Sequence, residues 1–339
     1  MKQNMQKRKT YKQNWAEYNL AQTSEKLMFM DLLRELSYNV VGRRKSMEGK
    51  PPMDVQEMIY CMALLVYTGK SSRRVISELH ISKDRGLIRK VPHFNTIIKY
   101  FNKLELTNYL EMLITMSSIP LRTIEKDYTV DASGFSTSQF ERWCSYKWGK
   151  EKGKIRVWKK AHVMSGVRTN VITAIKITSQ KVGDTSAFPE LFRTTAHIHE
   201  MREMSGDKAY SSKKNLEMIS GKGAIPYIPF RSNTSGKARG CMIWKRMYIY
   251  FIEHEEEFML HYHKRSNAES VFSMMKRKFS QNLKMRSETG QDNEILCKAL
   301  CHNICVLIQE CFELNINIDL EEYARPLQSV RDYFCTHTK

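Results

Sequence analysis

The sequence has no apolar run long enough to cross a bilayer. The longest, Met58 to Tyr67, falls well short of the roughly 20 residues a spanning helix needs. It does not open on a secretory signal either, because Met1 to Lys12 is polar and basic without an apolar stretch. There is no Cys-x-x-Cys pair, and the 8 cysteines are scattered, which suggests neither a disulfide framework nor a common zinc module. Acid is scarce relative to base: 36 Asp and Glu against 55 Lys and Arg, a net charge of +19. The absences point to the cytoplasm, with no membrane partner. The charge points to a polyanion, and so to nucleic acid. An apolar content of 42% over 339 residues supports a sizeable core, in one large domain with a smaller one or in two medium domains.

Residues 1–13 read as a basic arm. From 14 to 118 the apolar spacing is helical throughout, in Leu27–Leu36, Val55–Val66 and Leu106–Ile114, with no strand-like alternation. Ser71-Ser72-Arg73-Arg74 opens one short helix with a hydroxyl cap, and Pro92-His93-Phe94-Asn95 opens another, Thr96–Leu104. Two short helices around a tight connection, with Arg73, Arg74, Arg85, Arg89, Lys90 and Lys99, suggest a helix-turn-helix that contacts DNA through Thr96–Lys103. An ordinary bundle with a solvated basic face is the alternative.

At Asp127 the texture changes. Tyr128-Thr129-Val130 predicts a strand ending at Asp131, and His162–Val167 with Val171–Thr178 predicts a hairpin. Phe188–Thr195 reads as helix, Glu203–Asp207 as a strand edge, Ser211–Ser220 as a capped helix and Ile225–Pro229 as a short strand. Tyr248–Glu253 and Phe258–Tyr262 read as a further strand pair, and Ser266–Leu314 as helix. The order predicts a mixed α/β sheet flanked by helices over 119–315, preceded by the helical domain and followed by a tail, 316–339. Cys297, Cys301 and Cys305, with His302 among them, recur every four residues. A metal site there is conceivable, but reduced thiols on a core stripe beside Leu300, Ile304 and Ile308 are the stronger reading.

Three acids stand out by placement. Asp131 and Asp207 each close a predicted strand, and Glu269 lies in a helix dominated by cations. Hard cations such as Mg²⁺ or Mn²⁺ take oxygen ligands. Two of them roughly 4 Å apart can hold the attacking and leaving oxygens of a displacement at phosphorus, which calls for about three converging carboxylates. Around Glu269 the spacing is Tyr-x2-Arg-x3-Glu-x6-Lys. On one continuous helix Tyr262, Arg265, Glu269 and Lys276 would fall within an arc of about 60°.

These segments resemble the DDE transposases of bacterial and archaeal insertion sequences, in the group marked by a Tyr-Arg-Glu-Lys motif. The similarity runs from about 50 to 310. It is carried by Tyr-Thr-Val-Asp131, Lys160-Ala-His162-Val, Gly183-Asp184-Thr-Ser-Ala-Phe-Pro, Gly206-Asp207-Lys-Ala-Tyr210, the Tyr262/Arg265/Glu269/Lys276 set, and His302-Asn303-Ile304. The resemblance implies a ribonuclease-H-like fold and two Mg²⁺ or Mn²⁺ ions on Asp131, Asp207 and Glu269. It also implies that Tyr262, Arg265 and Lys276 grip transposon-end phosphates. The implied partners are double-stranded DNA, as element ends and as target, and a second copy of the chain on that DNA, at the nucleoid. The 61 residues between Asp207 and Glu269 leave little room for a large inserted domain.

Cation density agrees. Arg142 to Lys160 holds eight cations interleaved with Trp143, Tyr146, Trp148 and Trp158, which suits a DNA groove with Trp148 or Trp143 stacking on a base. A second run, Lys264–Arg286, suggests further phosphate contacts. The rival readings are a metal nuclease of the same fold that cuts without joining, and a host-adopted DNA-binding protein without catalysis. Retention of the acids and of the flanking Tyr, Arg and Lys argues against the second.

Overall fold

The computed structural model describes residues 14–40, 53–137 and 158–337. The helical half begins with α1 (Trp15–Tyr38) and α2 (Val55–Thr68), which ends where Gly69 turns left-handed at φ 64°. Then come α3 (Ile76–Asp84), α4 (Phe94–Phe101) and α5 (Glu105–Ser117). Helix α2 is buried from Glu57 to Val66, so it has no polar face and serves as the centre of the bundle.

A five-stranded sheet follows, in the order β3-β2-β1-β4-β5. Strand β1 (Asp127–Ser136) pairs antiparallel with β2 (Trp158–Gly166), which pairs antiparallel with β3 (Ile172–Ser179). On its other side β1 pairs parallel with β4 (Glu203–Gly206), and β4 with β5 (Ile225–Tyr227). The β2–β3 turn is set by a buried carboxylate. Glu125 accepts from Thr169 Oγ1 at 2.7 Å and Arg168 N at 3.2 Å, while Asn170 adopts φ 63°. A Cβ on Gly166 would stand 2.3 Å from Glu125 Cδ, so only glycine lets that carboxylate reach the turn.

One sheet face, with Tyr128, Val130 and Met164, packs against α6 (Asp184–Ile198) and α7 (Lys213–Ser220). The other, with Phe135, Val163 and Ile175, belongs to the main core with α10 (Ser266–Phe279), α11 (Glu288–Glu313) and the first helices. This is the mixed sheet flanked by helices expected of a ribonuclease-H-like fold. Helix α11 is the shared axis. Its Asn303 donates to Ile114 O at 3.1 Å and Ile172 O at 2.7 Å, and accepts from Ile172 N at 2.8 Å, tying α5 to β3. Among the described helices α11 alone is long and apolar enough to cross a membrane, but most of it is buried in this core.

Several elements differ from expectation. The segments predicted as strands at 248–253 and 258–262 are helical: α8 (Met242–Glu253) and α9 (Glu255–Tyr262). Their aromatic, β-branched composition reads as strand, but Trp244, Met247 and Phe258 bury at helical spacing against the second core, and packing overrides propensity. The single helix expected over 266–314 is broken at Ser280, where φ is 70°. Asn282 bridges Ser136 at the end of β1, and the buried Lys298 ammonium donates to Ser280 O and Asn282 O at 2.9 Å each. Helix α11 restarts on a Ser287 hydroxyl that accepts from Gly290 N at 3.0 Å. The expected tail contains α12 (Ala324–His337), with Leu327, Val330 and Phe334 buried. The Cys297/Cys301/Cys305 stripe faces the core, and Cys301 Sγ reaches Ala63 O at 3.3 Å.

Candidate active site

Along β1 side chains alternate between faces. Tyr128 and Val130 enter the core beside α6, whereas Asp131 shares its face with Val163, its cross-strand partner on the α10 side. Asp131 was expected at a strand end, yet β1 runs on to Ser136. What ends there is its neighbour: β4 pairs with β1 only from Asp127↔Glu203 to Val130↔Gly206. Asp207 is the next residue, just past the end of β4, and lies close enough to Asp131 for its charge to act on that carboxyl. Gly206 permits this approach, since a Cβ there would stand 2.8 Å from Val130 Cγ1.

The third acid arrives from across the sheet. The chain passes from α9 through a tight 3-10 turn, His263–Arg265, into α10, with helical backbone from Tyr262 (φ −61°) through Arg265 (φ −56°). The stripe expected of one helix is therefore kept, with one tightened turn inside it. Arg265 Nη2 lies 3.3 Å from Asp131 Oδ2, and its Nη1 lies 3.3 Å from Glu269 Oε1. Lys276 Nζ donates to Ser133 Oγ at 2.6 Å, two residues beyond Asp131 on the same strand. Tyr262 is half-buried against the second core.

The electrostatics are those of a charge held in excess. Burial raises the Asp131 pKa, and Asp207 and Glu269 add to the rise, against the Ala132 amide and Arg265, which lower it. Burial opposes the Arg265 charge, yet Asp131 and its fellow acids hold that pKa up. The three acids offer only hard oxygen donors, which suits Mg²⁺ or Mn²⁺. In this arrangement Glu269 is 64% exposed and turned to Arg265, and among the described residues no three His, Cys, Asp or Glu stand close enough to share an ion. The donor chemistry fits a divalent cation, and the cation that lies between Asp131 and Glu269 is Arg265.

Beside the acids lies a second polar group, in which Lys160 was expected to contact DNA and Asp184, His162 and Tyr210 had no expected role. Asp184, at the start of α6, pairs with Lys160, and His162 Nδ1 is 3.4 Å from its Oδ1. Burial pushes His162 down to about 4, so the ring is neutral. The Tyr210 hydroxyl is buried without a hydrogen-bond partner among the described residues. Burial raises its pKa first, and then Asp184, Asp131 and Asp207, which places it within the field of all three.

Other expected DNA contacts divide. Arg73, Arg74 and Lys99 are exposed on α4 and on the turn leading into α3, with Arg73 stacked 4.7 Å over Phe94. Arg85 and Arg89, by contrast, pair with Asp31 at 2.9 Å and with Glu57 at 2.8 Å. Lys160 is held by Asp184. In the Lys264–Arg286 run, Lys264 bonds Asp127 at 2.8 Å and Glu203 at 2.6 Å, Lys278 pairs with Glu25, and Lys284 donates to Gly69 O at 2.7 Å. These cations staple helices and strands together. Arg142–Arg156 and Trp148 lie outside the described residues, as do residues 1–13.

Comparison with known proteins agrees with this geometry. Residues 125–304, more than half of the chain, match the family described as the transposase DDE domain. A stretch of 105 residues is 30% identical to the probable transposase for insertion sequence element ISA1214 of Archaeoglobus fulgidus, covering 31% of this chain and 31% of that protein. The chain thus aligns with just under a third of that relative's length. No solved structure matches.

Proposed function

Starting from the fact that this chain belongs to the family of transposases with a DDE domain, we propose that it is an insertion-sequence transposase. It binds the ends of its element, cuts them to free 3′-hydroxyls and joins those to target DNA, acting as a pair of copies on duplex DNA at the nucleoid. In the cutting step water adds to phosphorus and the bond to the 3′ oxygen breaks, that oxygen leaving as a hydroxyl. In joining, this hydroxyl attacks a target phosphorus and expels a target 3′ oxygen. The observation that carries the reading is the adjacency of Asp131 on β1 to Asp207, just past the end of the parallel strand β4, with Arg265 contacting both Asp131 and Glu269.

Asp131, Asp207 and Glu269 would hold two Mg²⁺ or Mn²⁺ ions, which when bound stabilise the charge on the attacking and leaving oxygens. Arg265 contacts Asp131 and Glu269 together before DNA arrives. Once it is released from them, its guanidinium suits a phosphate oxygen. Lys276, held at Ser133, and Tyr262 lie on the same stripe and would grip phosphates of the element end. Arg73, Arg74 and Lys99 form the face proposed to meet duplex DNA outside the acids.

The test is direct. Asp131→Asn, Asp207→Asn and Glu269→Gln should each abolish cleavage of end DNA while leaving gel-shift affinity largely intact, and EDTA should stop the native protein. Full cleavage by any one of the three would remove that residue from the site. Paired-end substrates decide the rest: a nuclease without joining activity would yield cut ends and no strand-transfer product.

A further inference from the structure

Helices α8 and α9 form a hairpin between β5 and α10, and only one side of α8 is used by the fold. Trp244 and Met247 bury beneath it. On the opposite side Met242, Ile249 and Ile252 are 64%, 40% and 58% exposed. At about 100° per residue, Met242, Lys245, Arg246, Ile249, Ile252 and Glu253 share an arc of about 120° centred on Ile249. The charges on this stripe are segregated, with Lys245 and Arg246 toward the start and Glu253, Glu255 and Glu256 at the hairpin tip. None of these five makes an ion pair among the described residues, whereas Lys160, Lys264, Arg265 and Lys278 do.

We propose that this stripe is a self-association face, on which a second copy of the chain lays its own α8 antiparallel about a two-fold axis through Ile249. In that arrangement Ile249 meets Ile249 once on the axis, while Arg246 meets Ile252 and Lys245 meets Glu253, these two contacts made twice, as an isologous interface requires. A parallel arrangement would set Lys245 against Lys245 and Glu253 against Glu253. Duplex DNA fits less well, because the acidic tip repels phosphate. The complement to a stripe that is basic, apolar and then acidic is the same stripe reversed, and this chain supplies it. Such a patch is small beside the roughly 1,200–2,000 Å² of a stable interface. It therefore supports a weak, transient pairing of free copies in solution rather than a permanent dimer. The inference rests on the paired assembly proposed above and names its surface.

The experiment uses the full chain without DNA. Ile249→Cys places a thiol on the proposed axis, and mild oxidation should give a covalent dimer well above the background of the native chain, which has its own exposed Cys335. Adding Lys245→Glu should slow cross-linking about tenfold, because two reciprocal attractions become repulsions. Adding Glu253→Lys to that variant should restore it. Cross-linking no faster than background overturns the proposal. So does cross-linking that appears only with DNA, which would make DNA the occupant, or a Lys245→Glu defect that Glu253→Lys leaves unrepaired, which would remove the reciprocal pairing of Lys245 with Glu253. Because the readout needs neither DNA nor cleavage, its failure would leave the catalytic reading untouched.

Discussion

Replacing Arg265 by glutamine should make the DNA-free protein bind Mn²⁺ more tightly while it cuts DNA less well. Arg265 Nη2 lies 3.3 Å from Asp131 Oδ2, with the two side chains 22% and 16% exposed. At an effective dielectric of about 20, that separation corresponds to about 5 kcal/mol of gross attraction. Desolvation of both groups removes most of it, leaving about 1.5–2 kcal/mol. The contact to Glu269 adds only a few tenths, because that carboxylate is 64% exposed and screened. A metal entering the site must displace this internal cation, so its removal should strengthen binding by about 2 kcal/mol, or roughly 30-fold in Kd. Free Mn²⁺ can be followed by electron paramagnetic resonance as protein is added, with circular dichroism to confirm the fold. Adding Asp131→Asn should cancel the gain. Equal or weaker Mn²⁺ binding by Arg265→Gln would refute the idea that this guanidinium and a metal compete for the same carboxylates.

Three further outcomes follow from single contacts. His199, buried against Ser118 Oγ at 2.8 Å, is pushed down to about 3 by burial. Its neutral form therefore stabilises the fold fully above an unfolded-state pKa of about 6.5, and that contribution is lost as pH falls toward 3. At pH 4.5 the loss is roughly 2–3 kcal/mol, which His199→Gln should remove from the acid limb of urea-unfolding curves; an unchanged limb would count against it. Gly166→Ala drives a Cβ into the Glu125 carboxyl and should cost about 2–3 kcal/mol by the same assay, so a change under about 0.5 would show that the turn can yield. Replacing Arg73, Arg74 and Lys99 by alanine should lower the slope of log affinity against log salt by as much as about 2.7 on duplex DNA. An unchanged slope would place the DNA face elsewhere.

Much of the site could be read from local pattern, because strand, turn and acid are adjacent in sequence. The Thr-Val-Asp131 and Ser-Gly-Asp207 segments each join a β-prone run to a carboxylate, and Tyr262 to Lys276 shows its stripe by spacing alone. Register could not be read that way. Nothing near Asp131 says that β4 stops one residue early, yet that stop opens the site. Long-range partners were equally hidden. Arg85 and Arg89 look like DNA contacts until Asp31 and Glu57 arrive from other helices, and Lys264 looks the same until the first residues of β1 and β4 meet it. The break at Ser280 lacks glycine or proline, and its left-handed backbone is held by Lys298 from a later helix. A signal did exist at Ser287, a hydroxyl placed to cap α11. The α8–α9 hairpin was misread because Tyr248-Ile249-Tyr250-Phe251 has strand composition, and only its burial pattern separates the two readings.

The proposed division between a DNA-reading half and a cutting half must be understood through α11. Its buried side meets α1, α2 and α5 through one continuous cluster that includes Leu33, Leu64, Leu113, Leu296 and Leu300. Asn293 donates to Phe101 O at 2.8 Å and accepts from Thr107 Oγ1 at 2.8 Å, while Asn303 joins α5 to β3. A fragment lacking the first 118 residues would expose this surface, strand Asn293 and remove the Ile114 partner of Asn303 while leaving its Ile172 contacts, at about 1–3 kcal/mol for each buried group left unsatisfied before any apolar cost. Loss of specificity in such a fragment would therefore report unfolding as readily as lost recognition. The same packing has a mechanical consequence. Helix α10, which carries Arg265 and Glu269, is joined to α11 through the Ser280 break, and Lys278 in α10 pairs with Glu25 of α1. Duplex DNA bound at α3 and α4, as proposed, would rest on the same buried core as the helix that carries Glu269, so the proposed end recognition and the proposed gathering of the carboxylates share one packed unit.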